Sequence, residues 1–466
     1  MHWLSRVTRV SVLPALLVVA SLAFLLISNH APSPATRASA ADSAAPSAAP
    51  RAQTIVVRAR RSDDLDRVAA LAVRLGYTVT QRIGPLKALH VAPPAGVSVL
   101  QAVKAFVGRP GVLYAEPDYA MYRTDVPADP LYAREAPYMQ VEHAPEAWDI
   151  EKGKPGVLVA VLDTGIDLSH PDLQGRIWVN PHEIANNNID DDGNNCIDDV
   201  NGCSFVTDPS PGCTGSVNGN VRDDLGHGTF VAGIIAANGG NGQGIAGVAR
   251  NVTILPVKVL DCNGDGDSLA LAQGILYAAQ AGAKVMNISL GGPVDSIVVR
   301  EAVRIAHDQY GSLIVAAAGN TGTSGVAYPA RYPQVIAVGA TSSDNPDRRA
   351  IFSTTGPEVD VVAVGQGIVG TVPQSSCTRF LKCISGGPYA VGDGTSFAAP
   401  QVTGLVALML SHTPTLRPDA ILSIVKATAD ALPAGDRPDW AGSGRINMLK
   451  ALKPQYRLGA PGVARN

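Results

Sequence analysis

Three side chains of the kinds used in covalent catalysis lie far apart in the sequence but in similar surroundings. Asp163, His227 and Ser396 each have a glycine within two residues, which lets the backbone approach a partner without a Cβ in the way. A serine hydroxyl becomes a good nucleophile when an imidazole removes its proton, and a buried carboxylate can orient that imidazole and stabilise its charged form. Any one of these residues alone would indicate a helix cap or a turn. Together they predict nucleophilic catalysis.

The segments around these residues alternate between apolar strand-like runs and helical stretches. The strand-like runs are 157–162, 252–260, 284–290, 313–318, 335–338 and 359–364, and the helical stretches are 229–237, 269–281, 296–309, 396–410 and 418–432. This alternation predicts an α/β domain over residues 124–455, with a doubly wound, mostly parallel sheet buried on both faces. Functional groups in such sheets gather where strands end and helices begin. Asp163 ends a strand-like run, and His227 and Ser396 each open a helical stretch.

A smaller unit precedes this domain. Residues 31–53 consist largely of Ala, Ser and Pro, which is typical of a linker. Strands are expected at 54–58, 88–92 and 112–115, with helices at 63–75 and 97–106. The pattern predicts a small ferredoxin-like α+β domain over residues 54–123. Residues 456–466 form a C-terminal tail.

The N-terminus carries the features of an export signal. Arg6 and Arg9 precede the apolar run 10–27, so residues 1–30 are interpreted as a signal peptide. The small residues 38–40 offer a cleavage site, but they lie far from the apolar run, so a retained signal anchor is the open alternative. Only that anchor would attach the protein to a membrane. In both cases the protein is expected to be secreted or to remain in the cell envelope.

The charge balance excludes one class of partner. The 466 residues contain 37 Lys+Arg and 40 Asp+Glu, giving a formal net charge of −3. A binder of nucleic acid or another polyanion would carry a basic excess, so no nucleic-acid partner is expected.

All six cysteines lie between Cys196 and Cys383, and an exported protein is expected to pair them as disulfides. Cys377 and Cys383 bracket a five-residue loop and are expected to pair. The other four allow three connectivities. Of these we favour the pairs Cys196–Cys203 and Cys213–Cys262.

Three segments carry a resemblance to a known family. DTGIDLSHPDL (163–173), GHGTFVAG (226–233) and GTSFAAPQVTG (394–404) resemble the signature blocks of subtilisin-like serine endopeptidases, in which the triad has the same order Asp, His, Ser. The similarity extends over residues 124–452. Residues 54–122 resemble the inhibitory propeptide of the family. The resemblance implies an exported endopeptidase made as an autoprocessed zymogen, with polypeptides as substrates and its own propeptide as intramolecular inhibitor.

The resemblance also implies a role for each catalytic residue. Asp163 would orient His227, His227 would act first as general base and then as general acid, and Ser396 would attack the scissile carbonyl. Asn320 would donate its side-chain amide to the oxyanion. The chain departs from the family pattern at four positions. The family commonly has His, Met, Ser and His there, whereas this chain has, in the same order, Phe230, Phe397, Ala399 and Gln401.

The substrate is expected to lie as an extended strand against one segment of the chain. By resemblance, Ser289, Leu290 and Gly291 would bind its main chain, and Ala327 would lie at the base of the primary side-chain pocket. These segments contain no Asp or Glu. We therefore expect an apolar pocket that prefers apolar or aromatic residues.

Two groups of oxygen-bearing side chains are candidate calcium sites. The acidic loop 188–199 gathers its carboxylates and amides around a glycine, as hard-cation loops do, with Asp190, Asp192, Asn194 and Asp199 as the candidate ligands. A solvated acidic turn is the alternative for this loop. A second group, Asp172 and Asn241 with Asp129, resembles the tight calcium site of the family. Neither site would be catalytic.

Two other functions compete with the peptidase. An esterase of the α/β-hydrolase type would need a Gly-x-Ser-x-Gly elbow, but residues 394–398 read GTSFA and lack the final glycine. A catalytically inactive, calcium-dependent binding module on the same fold is the other alternative.

Overall fold

The computed structural model describes residues 50–119, 126–374, 381–384, 387–432 and 438–453. The predicted signal sequence, most of the linker and the C-terminal tail lie outside these residues. Within the described ranges, no helix is long and apolar enough to cross a membrane.

The N-terminal part is a four-stranded antiparallel sheet with two helices. Its elements are β1 (Pro50–Ala59), α1 (Leu65–Arg74), β2 (Thr78–Ile83), β3 (Ala88–Ala92), α2 (Val99–Phe106) and β4 (Val112–Tyr119). The strand order is β2-β3-β1-β4. Ile55, Val57 and Ala59 alternate along β1 and are fully buried in the core that the sheet forms with α1 and α2.

The predicted order strand-helix-strand-helix-strand is wrong because it lacks β2. Within the described residues, β2 is an edge strand that pairs with β3, and its side chains are exposed or half-buried. Because it is not buried, its sequence TVTQRI has no apolar run from which a strand could be predicted.

The second part contains the remaining elements. These are α3 (Tyr132–Val141), α4 (Ala144–Trp148), β5 (Leu158–Asp163), β6 (Cys203–Val206), β7 (Ser216–Asn218), α5 (His227–Ala236), β8 (Thr253–Lys258), α6 (Ser268–Gln280), β9 (Val285–Ile288), α7 (Ile297–Tyr310), β10 (Leu313–Ala317), β11 (Val335–Thr341), β12 (Val361–Val364), β13 (Ile368–Thr371), β14 (Lys382–Cys383), β15 (Tyr389–Gly392), α8 (Thr395–His412), α9 (Pro418–Thr428) and α10 (Met448–Leu452).

An eight-stranded sheet with the order β12-β11-β10-β9-β5-β8-β6-β7 forms its centre. All neighbouring strands are parallel except β6 and β7. The predicted mostly parallel sheet is therefore confirmed. The prediction did not include the β6–β7 hairpin or the separate antiparallel sheet β13-β15-β14, whose strands are too short to leave a clear pattern in the sequence.

Alternate residues of the central strand β5 point into two different cores. Val159 and Val161 pack with α5 and α8 on one face, whereas Ala160 and Leu162 pack with α6 and α7 on the other. This burial on both faces explains the uninterrupted apolar run of β5. Nearly every residue of α8 is buried, so the helix that carries Ser396 passes through the core.

The helix predicted over 418–432 ends earlier, at Thr428. Asp430 exchanges backbone hydrogen bonds with Arg445, which takes the chain out of the helix.

The disulfides Cys196–Cys203 and Cys213–Cys262 confirm the favoured connectivity. Cys383 is also disulfide-bonded, and its expected partner Cys377 lies outside the described residues.

Replacing Phe230 tests how much the packing around α5 contributes to the stability of the fold. Its side chain is fully buried, its ring centroid lies 4.3 Å from that of Phe397, and a Cβ built on Gly370 would approach the ring to 2.5 Å. Phe230→Ala should lower the free energy of unfolding by about 3–5 kcal/mol because it leaves a cavity. Denaturant titration in a Ser396→Ala background measures this. Ile351→Ala, at a side chain that is 85% exposed, is the control and should change stability by less than about 0.5 kcal/mol. Equal losses in the two variants would contradict the packing argument.

Candidate active site

The fold brings Asp163 and His227 into direct contact. Asp163 is the last residue of β5, and His227 is the first residue of α5. His227 Nδ1 lies 2.7 Å from Oδ1 of Asp163, whose side chain is fully buried. Because a carboxylate accepts hydrogen bonds, Nδ1 carries the proton and Nε2 is left as the free acceptor of the ring.

The surroundings of His227 favour its charged form. Burial by itself would lower the pKa of His227, but Asp163, through its charge and hydrogen bond, and the charge of Asp223 outweigh this effect and raise the pKa above the usual imidazole value. The ring can therefore hold a proton taken from a neighbouring group.

Ser396 lies in the first turn of α8. Its Oγ donates a hydrogen bond to the carbonyl oxygen of Ser289 at 3.0 Å rather than to the imidazole, and Ser289 Oγ donates to the carbonyl of Ser396 at 2.7 Å. The ring of Phe397, the next residue, has its centroid 5.4 Å from that of His227. Catalytic hydrogen bonds often tighten only when substrate binds, so this geometry is compatible with proton transfer.

The side-chain amide of Asn320 is held in one orientation. Its Oδ1 accepts hydrogen bonds from the backbone N–H and the hydroxyl of Thr395, both at 2.9 Å. The Nδ2 group therefore faces the other way, and a Cβ built on Gly394 would lie 3.5 Å from it. Because glycine has no Cβ, this N–H donor stays accessible beside the turn that presents Ser396.

The four predicted substrate-binding residues lie together beside this site. Ser289, Leu290 and Gly291 follow β9, and a Cβ built on Gly291 would be 3.0 Å from the Cβ of Ala327. A Cβ built on Gly319 would be 3.7 Å from the same atom. Ala327 therefore lies close to both Gly291 and Gly319. A cleft of about 270 Å³ includes Leu290 and Gly291, and its lining combines apolar and aromatic side chains with polar ones, among them Asp265 and Asp267.

The acidic loop gathers most of its predicted ligands. Asn180 Nδ2 donates to both Asp192 and Asp199 at 3.0 Å, and Asn194 Nδ2 donates to Asp199 at 2.9 Å. Asp190 instead accepts hydrogen bonds from backbone N–H groups of the loop.

The structure adds Glu183, which the sequence pattern missed because this residue precedes the acidic loop. Carboxylate oxygens of Glu183, Asp192 and Asp199 lie within 4.8 Å of one another. Oε2 of Glu183 is buried without a hydrogen-bond partner, and burial together with Asp199 raises the pKa of Glu183 to about 7. An orphaned carboxylate oxygen in an all-oxygen cluster fits a hard cation such as calcium.

The residues of the second predicted cation site lie around one loop. Asn241 Nδ2 donates to Asp172 at 2.8 Å, and Asp129 accepts hydrogen bonds from Gly240 and Gly242 in the same loop. Burial raises the pKa of Asp172 to about 6. Glu135, which the sequence pattern did not single out, is a further buried carboxylate at this loop and accepts a hydrogen bond from the N–H of Ala246.

Comparison with known proteins identifies the class to which this fold and site belong. Residues 154–447 match the model of the subtilase family, and residues 36–118 match that of the fervidolysin N-terminal prodomain. The chain therefore belongs to the subtilase family of serine proteases and carries an N-terminal prodomain.

Individual relatives agree with this family. The chain is 38% identical to thermitase of Thermoactinomyces vulgaris over 70% of its own length and 99% of thermitase. It is 36% identical to a thermophilic serine proteinase of Bacillus sp. strain AK1, covering 83% of this chain and 82% of that protein. A solved structure of a protease from Pseudoalteromonas arctica matches with a TM-score of 0.58 at 29% identity, covering 70% of this chain and 99% of that one.

Proposed function

We propose that the protein is an exported serine endopeptidase that cleaves peptide bonds through Asp163, His227 and Ser396. The observation that carries this proposal is the 2.7 Å contact between Asp163 and His227. Ser396 lies in the first turn of the buried helix α8, and the ring of the next residue, Phe397, contacts His227. The alternative of an inactive binding module has no observation in its favour.

The reaction follows from the orientation of the imidazole. Nε2 of His227 accepts the proton of Ser396 Oγ while that oxygen forms a bond to the scissile carbonyl carbon. Asp163 stabilises the resulting imidazolium through Nδ1. The imidazolium then donates its proton to the leaving amine as the C–N bond breaks, which leaves an acyl-enzyme. Water, activated by the same imidazole, hydrolyses this ester and regenerates the serine.

Asn320 stabilises the charge that develops on the substrate oxygen. Its Nδ2 is aimed away from Thr395 by the two hydrogen bonds to Oδ1, so the donor is in place before the reaction begins. Such a preorganised donor acts mainly in the transition state. The substrate binds against four uncharged residues, Ser289, Leu290, Gly291 and Ala327. Because they carry no charge, the primary pocket favours apolar side chains.

The N-terminal domain is the inhibitor of its own precursor. Residues 50–119 form a complete sheet-and-helix unit with a core of its own, which supports a separately folded propeptide domain. We place autoprocessing between about Tyr119 and Asp129, around the junction of the propeptide and peptidase domains, where residues 120–125 lie outside the described ranges. The disulfides are consistent with export to an oxidising compartment.

Calcium holds two surface loops in place in this proposal. Glu183, Asp192 and Asp199, supported by Asn194, would bind one ion. Asp172, Asn241 and Asp129 would bind another. The ions would neutralise clustered carboxylates and stabilise the folded state without entering the reaction.

Replacing the nucleophile tests the proposed function. The Ser396→Ala precursor, made in a host that lacks proteases able to cut it, should remain full length, and its solution should not hydrolyse casein. Ser423→Ala, on the surface helix α9, is the matched control and should be processed and active. Processing of Ser396→Ala at the same bond would show that another protease is the activator. Undiminished casein hydrolysis by that variant would refute the proposed mechanism.

Removing calcium tests the proposed loop site. Saturating calcium should raise the melting temperature of the chelated protein, since an ion at 100 times its Kd stabilises the native state by about 2.7 kcal/mol. Glu183→Gln should reduce this gain, whereas Glu301→Gln, in an exposed ion pair on α7, should retain it. The measurement is thermal unfolding with and without calcium. An equal gain in Glu183→Gln and Glu301→Gln would remove Glu183 from the ligand set.

A further inference from the structure

The helix that carries His227 begins without a capping side chain of its own. The residue before it, Gly226, has φ 102° and supplies no side-chain acceptor. The N–H of Gly228 instead donates to Thr164 Oγ1 at 2.9 Å, and the N–H of Thr229 donates to Asp223 Oδ2 at 2.8 Å. The first turn of α5 is therefore fixed by two side chains from outside the helix.

The carboxylate of Asp223 is the centre of this arrangement. Its side chain is buried and accepts five hydrogen bonds, from Thr164 Oγ1, Leu225 N, Gly226 N, Thr229 N and Thr229 Oγ1. Desolvation raises the pKa of Asp223, while these donors favour its ionised form. With donors directed at both oxygens, the network is complementary to the carboxylate anion.

Thr164 connects Asp223 to the carboxylate of Asp163. Its backbone N–H donates to Asp163 Oδ1 at 2.8 Å, the same oxygen that contacts His227 Nδ1. Its hydroxyl donates to Asp223 at 2.8 Å and accepts from Gly228. Both carboxylates and the first turn of α5 therefore belong to one hydrogen-bonded network.

The position of Asp223 also matters electrostatically. The N-terminus of a helix carries a partial positive charge, which disfavours an imidazolium at its first residue. The charge of Asp223 lies at this end of α5 and opposes that effect. The charges of Asp163 and Asp223 both favour the protonated imidazole of His227. Lys258, a buried cation, donates to the carbonyl of Thr164 and to Asp224.

We propose that Asp223 is a positioning residue for His227, linked through Thr164 to Asp163. It fixes the first turn of α5 against the end of β5 and supplies a second negative charge beside the imidazole. This inference rests on the proposed role of His227 as the catalytic base. Asp223 itself does not touch the substrate.

The test replaces Asp223 by Asn, which keeps the size of the side chain and removes its charge. In Asp223→Asn the pH midpoint of His227, followed by NMR of the ¹⁵N-labelled imidazole, should fall, and the acid limb of kcat/KM should move to lower pH with it. Misplacing a catalytic group by about 1 Å can cost about 100-fold in rate, and we expect kcat to fall by roughly 10- to 100-fold with little change in KM.

Asp224→Asn is the matched control. It removes the same charge one residue away, from a side chain that pairs with Lys258 and, within the described residues, has no hydrogen bond or ion pair with α5. It should leave the His227 midpoint close to that of the wild type. An unchanged midpoint in Asp223→Asn, or the same shift in both variants, would overturn the proposal.

A second pair of variants covers the case in which Asp223→Asn does not fold. Thr164→Val removes the link but keeps the charge of Asp223, and Thr164→Ser keeps the hydroxyl. Thr164→Ser should be roughly tenfold or more active than Thr164→Val, and equal activities would overturn the proposal. The NMR midpoint can be measured even without peptidase activity. An inactive wild type would therefore refute the proposed function separately from this inference.

Discussion

The contact between a fully buried Asp163 and His227 is the constraint around which the site is built. Oδ1 of Asp163 accepts hydrogen bonds from Thr164 and His227, while Oδ2 of Asp163 is buried without a partner among the described residues. Removing a carboxylate from water costs several kcal/mol unless partners compensate. The imidazole of His227 is the partner that can become positively charged. The buried carboxylate of Asp163 stabilises that charge, and it therefore favours the proton transfer from Ser396 to His227 that the proposed reaction needs.

The two-sided burial of the sheet explains why this contact can form. β5 lies between β8 and β9, so Asp163 emerges at the centre of the sheet edge rather than at a solvated end. On one face, α5 and α8 pack against the same core cluster, and their first turns bring His227 and Ser396 to that edge. Side-chain packing next to the reacting groups, such as Phe230 against Phe397, therefore supports the positions of His227 and Ser396.

The sequence was informative where the chemistry and the burial each leave a strong pattern. The uninterrupted run of β5 predicted a strand buried on both faces, and the predicted helical stretches 229–237 and 396–410 begin within two residues of α5 and α8. β2 and Glu183 were missed for different reasons. β2 is an exposed edge strand with little apolar pattern, and Glu183 joins Asp192 and Asp199 only through the fold. Asp223 was missed because nothing in the sequence distinguishes it from the neighbouring Asp224 or shows that it will be buried with five donors around it.

The dependence of the nucleophile on Asp163 can be measured without a substrate. A fluorophosphonate that reacts with activated serines, followed by peptide mapping, should modify Ser396 in the wild type. Asp163→Asn should react far more slowly, because removing the charge of a triad aspartate has cost about 10⁴-fold in turnover in a related triad. The account predicts labelling at Ser396 that depends on Asp163. Equal labelling rates in the two proteins, or modification at a different residue, would contradict it.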